Sequence, residues 1–303
     1  MTTPNTMRGV LAPVVTPFKA DLSADRERLI AHCKWLLSQD CGLAVFGTNS
    51  EATSLTMDER FELIDALVEA GIDPARMMPG TGCCSFLESV ALTKHAIELG
   101  CGGVLMLPPF YYKGVSDEGI YRNFAEIIER TGDDRLRVYL YHFPQMSAVP
   151  FSIELVGRLL ENFPGIVVGM KDSSGDKDNL VAMMNAFPGF GMFAGNETLL
   201  LKNMRLGGAG CISATANINP SGIVSLFNSW DADNADELQG ALNAVRESVQ
   251  QFNLIAAMKK MISHYASDPS WNRVRPPLVE LNEEQNNKLI SDLETLDFEM
   301  PGL

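Results

Sequence analysis

Eight short apolar runs recur along the chain at the spacing of a strand–helix unit, and this rhythm constrains the fold more than any other feature. The runs are Val10–Thr16, Leu43–Phe46, Met77–Pro79, Val104–Leu107, Val138–Tyr141, Val167–Met170, Gly191–Ala194 and Cys211–Ile212. Each stops at a cluster of Gly, Pro, Thr or Ser. Successive ends lie about 18 to 35 residues apart, the length that a strand and its return helix need. The stretches between are patterned as helices. "SADRERLIAHCKWLLSQ" places Leu29, Ile30, Cys33, Leu36 and Leu37 on one face, with Ser23 as the expected N-cap. "TMDERFELIDALVEAG" opens with the capping box Thr56/Glu59 and closes on Gly71, and a similar helix runs from Ser116 to Gly132. Repeated beats of this length predict an α/β fold, a closed (β/α)8 TIM barrel over residues 1–218. From residue 219 the strand candidates stop. Helical patterns over 235–264 and 282–296 predict a C-terminal helical extension, 219–303, packed on the barrel.

Composition narrows the function classes. Lys and Arg number 24 against 38 Asp and Glu, and a net charge of −14 disfavours a nucleic-acid or anionic-membrane partner. No apolar stretch approaches the roughly 18 residues of a spanning helix. The N-terminal "MTTPNTMRGVLAPVVTPF" has no cationic region leading into an apolar signal core, so it reads as the first strand of a cytoplasmic protein. Six cysteines without C-x-x-C spacing read as reduced thiols. The four histidines show no metal-ligand spacing, and neither a G-x-G-x-x-G turn nor a P-loop is present, so no metal or organic cofactor is expected.

Chemistry in such barrels collects at the C-terminal ends of the strands. "GIVVGMKDSSGD" ends a buried strand on Lys171, expected to share its inward face with Gly169 and Val167. Burial would lower the pKa of such an amine and make it a nucleophile toward a carbonyl. The alternative is an ion pair at the barrel mouth with a carboxylate such as Asp172, and the residues alone leave both open. Tyr141 ends the fifth run, where a phenol can move protons or hold an anion, or simply pack. Tyr139, on the same face, reads as core, and His142 faces the other way. In "FGTNSEATSLT", Gly47, Thr48, Asn49 and Ser50 offer N–H groups and hydroxyls suited to a carboxylate or oxyanion. A plain turn is the competing reading there, with Glu51 structural. "LPPFYYKG" exposes Tyr111 and Tyr112, a pattern found at interfaces.

Four motifs, "GTNSEATSLT", "LPPFYYKGVSDEG", "YLYHFP" and "GMKDSSGD", occur in order on this rhythm. With them the chain resembles the dihydrodipicolinate synthase/N-acetylneuraminate lyase family, the class I pyruvate-dependent aldolases, from about Gly9 to Ile218. The resemblance selects the nucleophile for Lys171 and implies a Schiff base with pyruvate or another 2-oxo acid. It implies Tyr141 as the acid/base and Thr48 as its link to a tyrosine from a neighbouring subunit, Tyr111 in preference to Tyr112. It also implies that the backbone of Thr48 and Asn49 holds the pyruvyl carboxylate, and that the protein is a homo-oligomer, a dimer of dimers. Further substrate-binding positions carried over are Ser50, Tyr112, Gly195, Asn196, Glu197, Ile212 and Ser213.

Departures from the family pattern bear on the substrate. The usual G-[ST]-T-G-E loop has Asn49 and Ser50 in place of its second hydroxyl and its glycine, which questions a positive φ at that turn. Lysine-pathway synthases carry an arginine shortly after the tyrosine motif to grip a second carboxylate; here "YHFPQMSAVP" has Met146. Asn196, Glu197 and Ser213 fall where sugar-acid members read hydroxyls. The leading expectation is therefore retro-aldol cleavage of a 2-keto-3-deoxy sugar acid or similar hydroxylated 2-oxo acid. The alternatives are 4-hydroxy-tetrahydrodipicolinate synthase, a Schiff-base dehydratase of a keto-deoxy sugar acid, and a binder of oxo acids without turnover.

Overall fold

A computed structural model describes residues 6–303; residues 1–5, the start of the segment read as leading into the first strand, lie outside the described residues. Strands and helices alternate as β1 (Gly9–Ala12), α1 (Arg26–Ser38), β2 (Gly42–Leu43), α2 (Met57–Glu69), α3 (Phe86–Leu99), β3 (Val104–Met106) and α4 (Asp117–Thr131). They continue as β4 (Val138–His142), α5 (Pro144–Ser147), α6 (Ile153–Asn162), β5 (Val167–Asp172), α7 (Lys177–Ala186), β6 (Gly191–Ala194), α8 (Leu200–Arg205), β7 (Gly210–Ile212) and α9 (Pro220–Asn228). The seven strands form one parallel sheet in the order β2-β1-β7-β6-β5-β4-β3, curled with helices on its outer side.

The run expected as a third strand, Met77–Pro79, is not a regular strand. Among the described residues it makes isolated parallel bridges on both sides, Met77 to Leu43 of β2 and Gly80 to Leu105 of β3. Met78 N donates to Leu43 O and Leu105 N to Pro79 O, at 2.8 and 2.9 Å. Pro79 has no N–H for a ladder. At Gly80 a Cβ would sit 2.3 Å from Phe46 O, so the two segments approach too closely for any side chain. The segment thus links the two edges of the sheet without the regularity of its neighbours.

Side chains of the sheet divide between two surroundings, as expected of parallel strands covered on both faces. Leu11, Met78, Leu105, Tyr139, Phe193 and Ile212 meet in an inner cluster, whereas residues of opposite parity, such as Val10, Met106 and Met170, pack under the helices. The alternation slips once. Val138 pairs with Val167, but Tyr139 pairs with Gly169, so β5 carries one extra residue. Val168 therefore joins the inner cluster and Val167 the outer one, so of the two residues expected to share the inward face with Lys171 only Gly169 does. Tyr139 is core, as expected: it is fully buried, packs edge-on against Phe193 and accepts from Met7 N at 2.6 Å.

Helix ends mostly follow the sequence signals. Thr56 and Glu59 form the capping box of α2, Gly71 follows it at φ 83°, and Ser116 and Gly132 bound α4. The start of α1 differs, because Asp25 rather than Ser23 accepts from Arg28 N and is held there by the Arg28 guanidinium, while Ser23 donates to Asp21. Beyond α9 lie α10 (Ala235–Val249), α11 (Leu254–Tyr265) and α12 (Glu283–Glu294). The pattern read as one helix over 235–264 is split because Asn253 caps a new start by accepting from Ile255 and Ala256 N. Leu242, Met258, Leu289 and Leu293 of these helices share a cluster with Val10 and Leu43 of the sheet. All six cysteines are free, and no helix among the described residues is long and apolar enough to cross a membrane.

Candidate active site

β4 and β5 run side by side with Tyr141 opposite Lys171 and His142 opposite Asp172, so one pair faces inward and the other outward. Lys171 is 2 % exposed, and its Nζ lies 4.3 Å from the centroid of the Tyr141 ring. It has no hydrogen-bond or ion-pair partner among the described residues. The outward Asp172 is engaged elsewhere, accepting from Ser174 N at 2.8 Å, Ser174 Oγ at 2.6 Å and Asn179 Nδ2 at 2.8 Å. The ion pair that the sequence left open is therefore absent from the geometry. A buried amine against an aromatic face, with no counter-charge, is an arrangement that structure alone does not require.

The Tyr141 hydroxyl is 3.2 Å from Thr48 Oγ1. Thr48 begins a 3-10 turn, Thr48–Ser50, that follows β2. Ser50 holds this turn: its Oγ donates to Val14 O and accepts from Gly47 N, and its carbonyl accepts from Thr16 Oγ1 at 2.7 Å. Its hydroxyl is thus part of the scaffold, and the residue is 1 % exposed. The positive φ values of this loop fall on Phe46 (59°) and Glu51 (55°), so a serine fits where the family pattern has glycine. Asn49 is half-buried beside it.

Glu51 anchors the loop to the C-terminal helices. It is buried, ion-paired with Lys259 of α11, and accepts from Arg275 N at 2.8 Å. Lys259 also donates to Arg273 O at 2.8 Å and lies over the Phe18 ring. Burial pushes the Lys259 amine down to about 8, with the Glu51 carboxylate opposing that only in part.

The other expected positions divide into groups. Gly195 N donates to Asp172 O at 2.7 Å, and a Cβ there would sit 2.4 Å from that carbonyl, so β6 leaves the sheet by a glycine-only approach. Ile212 is in the inner cluster. Glu197 and Ser213 are buried and bonded to each other and to Thr215, with Arg246 at 3.8 Å from the carboxylate, so their polar atoms are occupied. Asn196 Oδ1 caps the next turn by accepting from Thr198, which leaves its amide nitrogen available. Tyr111 and Tyr112 are 75 % and 74 % exposed and meet each other edge to face, and among the described residues neither is hydrogen-bonded to Tyr141 or Thr48. His142 accepts from Phe151 N through Nδ1, and burial lowers its pKa despite Asp172 and Asp176. No cluster of three or more His, Cys, Asp or Glu side chains is placed to hold a metal among the described residues.

A cavity of about 260 Å³ opens beside Thr48 and Tyr141, walled by Phe46, Leu105, Phe110 and Met146. The sequence reading missed Arg60, which also lines it. The signal was there: Arg60 falls on the buried stripe of α2 with Leu63, Ile64 and Leu67, where a charge is out of place. Lys259 sits likewise among the buried residues of α11.

Comparison with known proteins places the chain in a family. The sequence model of the Dihydrodipicolinate synthetase family matches residues 6–296. An uncharacterized DapA-like lyase of Chloroflexus aurantiacus is 30 % identical over 281 residues, 92 % of this chain and 93 % of that protein. The crystal structure of dihydrodipicolinate synthase from Agrobacterium tumefaciens superposes with a TM-score of 0.89 at 31 % identity, over 95 % of this chain and 99 % of that one. YagE, an E. coli prophage protein of the dihydrodipicolinic acid synthase family solved with pyruvate, has a TM-score of 0.89 at 26 % identity, over 96 % and 99 %. The chain is a member of the dihydrodipicolinate synthetase family.

Proposed function

We propose that this protein is a class I lyase that forms a Schiff base between Lys171 and pyruvate or another 2-oxo acid, and makes or breaks the adjacent carbon–carbon bond. One observation carries the reading: a buried amine without a counter-ion lies against Tyr141, whose hydroxyl meets Thr48. The amine attacks the keto carbon and water leaves, giving an iminium. In the cleavage direction the C4 hydroxyl loses its proton to Tyr141, the C3–C4 bond breaks, and its electron pair passes into an enamine. Thr48 relays the proton onward, with Tyr111 of a second copy completing the relay in a homo-oligomer, a dimer of dimers. The N–H groups of Thr48 and Asn49 hold the carboxylate next to the keto group.

For the substrate we retain a 2-keto-3-deoxy sugar acid or a similar hydroxylated 2-oxo acid, with the Asn196 amide as the available polar reader. Overall identity to the Agrobacterium synthase favours a second reading, 4-hydroxy-tetrahydrodipicolinate synthase. Met146 in place of the expected arginine weighs against it. We further read Met77–Gly80 as the eighth stave of a closed (β/α)8 barrel comprising residues 1–218, with 219–303 as its helical extension.

Incubation with pyruvate, reduction with borohydride and peptide mass mapping test the reading. A reduced pyruvyl adduct on Lys171, lost in Lys171→Ala, is expected. Wild-type protein without an adduct, or with one on another lysine, overturns it.

A further inference from the structure

Arg60 is a buried cation without a counter-charge. It is 7 % exposed, yet no carboxylate is paired with it among the described residues. Its Nη2 donates to Ala52 O at 2.6 Å, its Nη1 reaches only Cys83 Sγ at 3.6 Å, and its Nε–H has no partner. A thiol sulfur is a weak acceptor, and a desolvated guanidinium with an unmade bond is costly unless a ligand completes it. The same cavity that Arg60 lines is bounded by Thr48 and Tyr141 on one side and by Met146 on another. Arg60 comes to this cavity from α2, on a different element from the segment that follows the tyrosine motif and carries Met146.

We propose that Arg60 reads a second carboxylate, carried at the far end of the 2-oxo acid that Lys171 engages. A carboxylate is the ligand that a planar guanidinium fork fits, and it would take over from Cys83 Sγ as the acceptor for Nη1. Phe46, Leu105 and Phe110 form an apolar wall suited to the carbon chain between the two ends. The substrate class narrows to 2-oxo acids with a carboxylate at each end. This rests on the Schiff-base reading above, and the test separates the two.

The probes are 2-oxoadipate and 2-oxohexanoate, equal in chain length but differing in the far carboxylate. Half-saturation for borohydride trapping on Lys171 is measured for both. Wild-type protein is expected to favour 2-oxoadipate by about 10- to 100-fold, the worth of a charge-assisted hydrogen bond. Arg60→Met is expected to bring the two probes to parity, and Arg60→Lys to retain part of the preference. Equal trapping of both probes by wild-type protein overturns the proposal without recourse to any variant, and so does a preference that survives in folded Arg60→Met. Failure of wild-type protein to trap pyruvate at all overturns instead the Schiff-base reading beneath it.

Discussion

Replacing Lys259 by Met tests how the C-terminal helices hold the loop from Thr48 to Glu51. The substitution leaves the Glu51 carboxylate, whose side chain is fully buried, with the Arg275 N–H as its remaining partner. Removing one member of a buried pair costs about 3–5 kcal/mol, mostly from the charge left behind. Replacing both members, as Glu51→Gln with Lys259→Met, should cost less than the sum of the single changes, because no unpaired charge remains. A dependence on pH accompanies this. Burial places the native Lys259 at about 8 against an ordinary 10.5. Between those values the unfolded lysine holds a proton that the native one has shed, so its contribution to stability rises with pH, by up to about 3 kcal/mol. The variant lacks that rise, and the gap between the two proteins widens above pH 8. Urea unfolding followed by tryptophan fluorescence at pH 7 and at pH 8 to 10 measures both effects. A variant within about 1 kcal/mol of wild type at pH 7, or costs that simply add in the double variant, would refute the reasoning.

Two further outcomes are expected. Tyr141→Phe should slow cleavage of a hydroxylated 2-oxo acid by about 10²- to 10⁴-fold while leaving the fold unchanged, and a loss below tenfold would reduce the phenol to packing. His32 is fully buried between Trp35 and Trp271, and burial lowers its pKa to about 4 from 6.5. The unfolded chain therefore takes up a proton below pH 6.5 that the native chain refuses until about 4, so stability falls as the solution is acidified through that window, by up to about 3 kcal/mol. The urea midpoint of wild type should drop relative to that of His32→Gln between pH 7 and pH 4, and parallel profiles would contradict the assignment.

Some of this molecule could be read from residue order and some could not. The strand–helix alternation was legible because parallel strands covered on both faces are short apolar runs, and because Thr56, Ser116 and Gly132 carry helix-end chemistry in their own side chains or lack of one. Lys171 and Tyr141 were legible because each ends such a run. The extra residue at Val168 was not, since a slip of register depends on how Tyr139 fills the space left by Gly169 in a neighbouring strand. Nor was the internal pairing of Glu197 with Ser213 and Thr215, because its members are brought together by the ends of two strands under α10. The ion pair of Glu51 with Lys259 spans 208 positions, a separation across which local pattern carries no information.

The stretch from Met77 to Gly80 fastens the two edges of the sheet to each other without being a regular strand. Two isolated bridges mark it, and backbone bonds hold it on both sides: Met78 N and Gly80 N donate to Leu43 O and Val45 O, while Leu105 N and Thr81 N donate to Pro79 O and Leu105 O. Gly80 lies directly against Phe46 and Gly47, one step before Thr48. A shift of this segment is therefore passed directly to the turn that carries Thr48, and a ligand held at Thr48 would bear on the sheet as well.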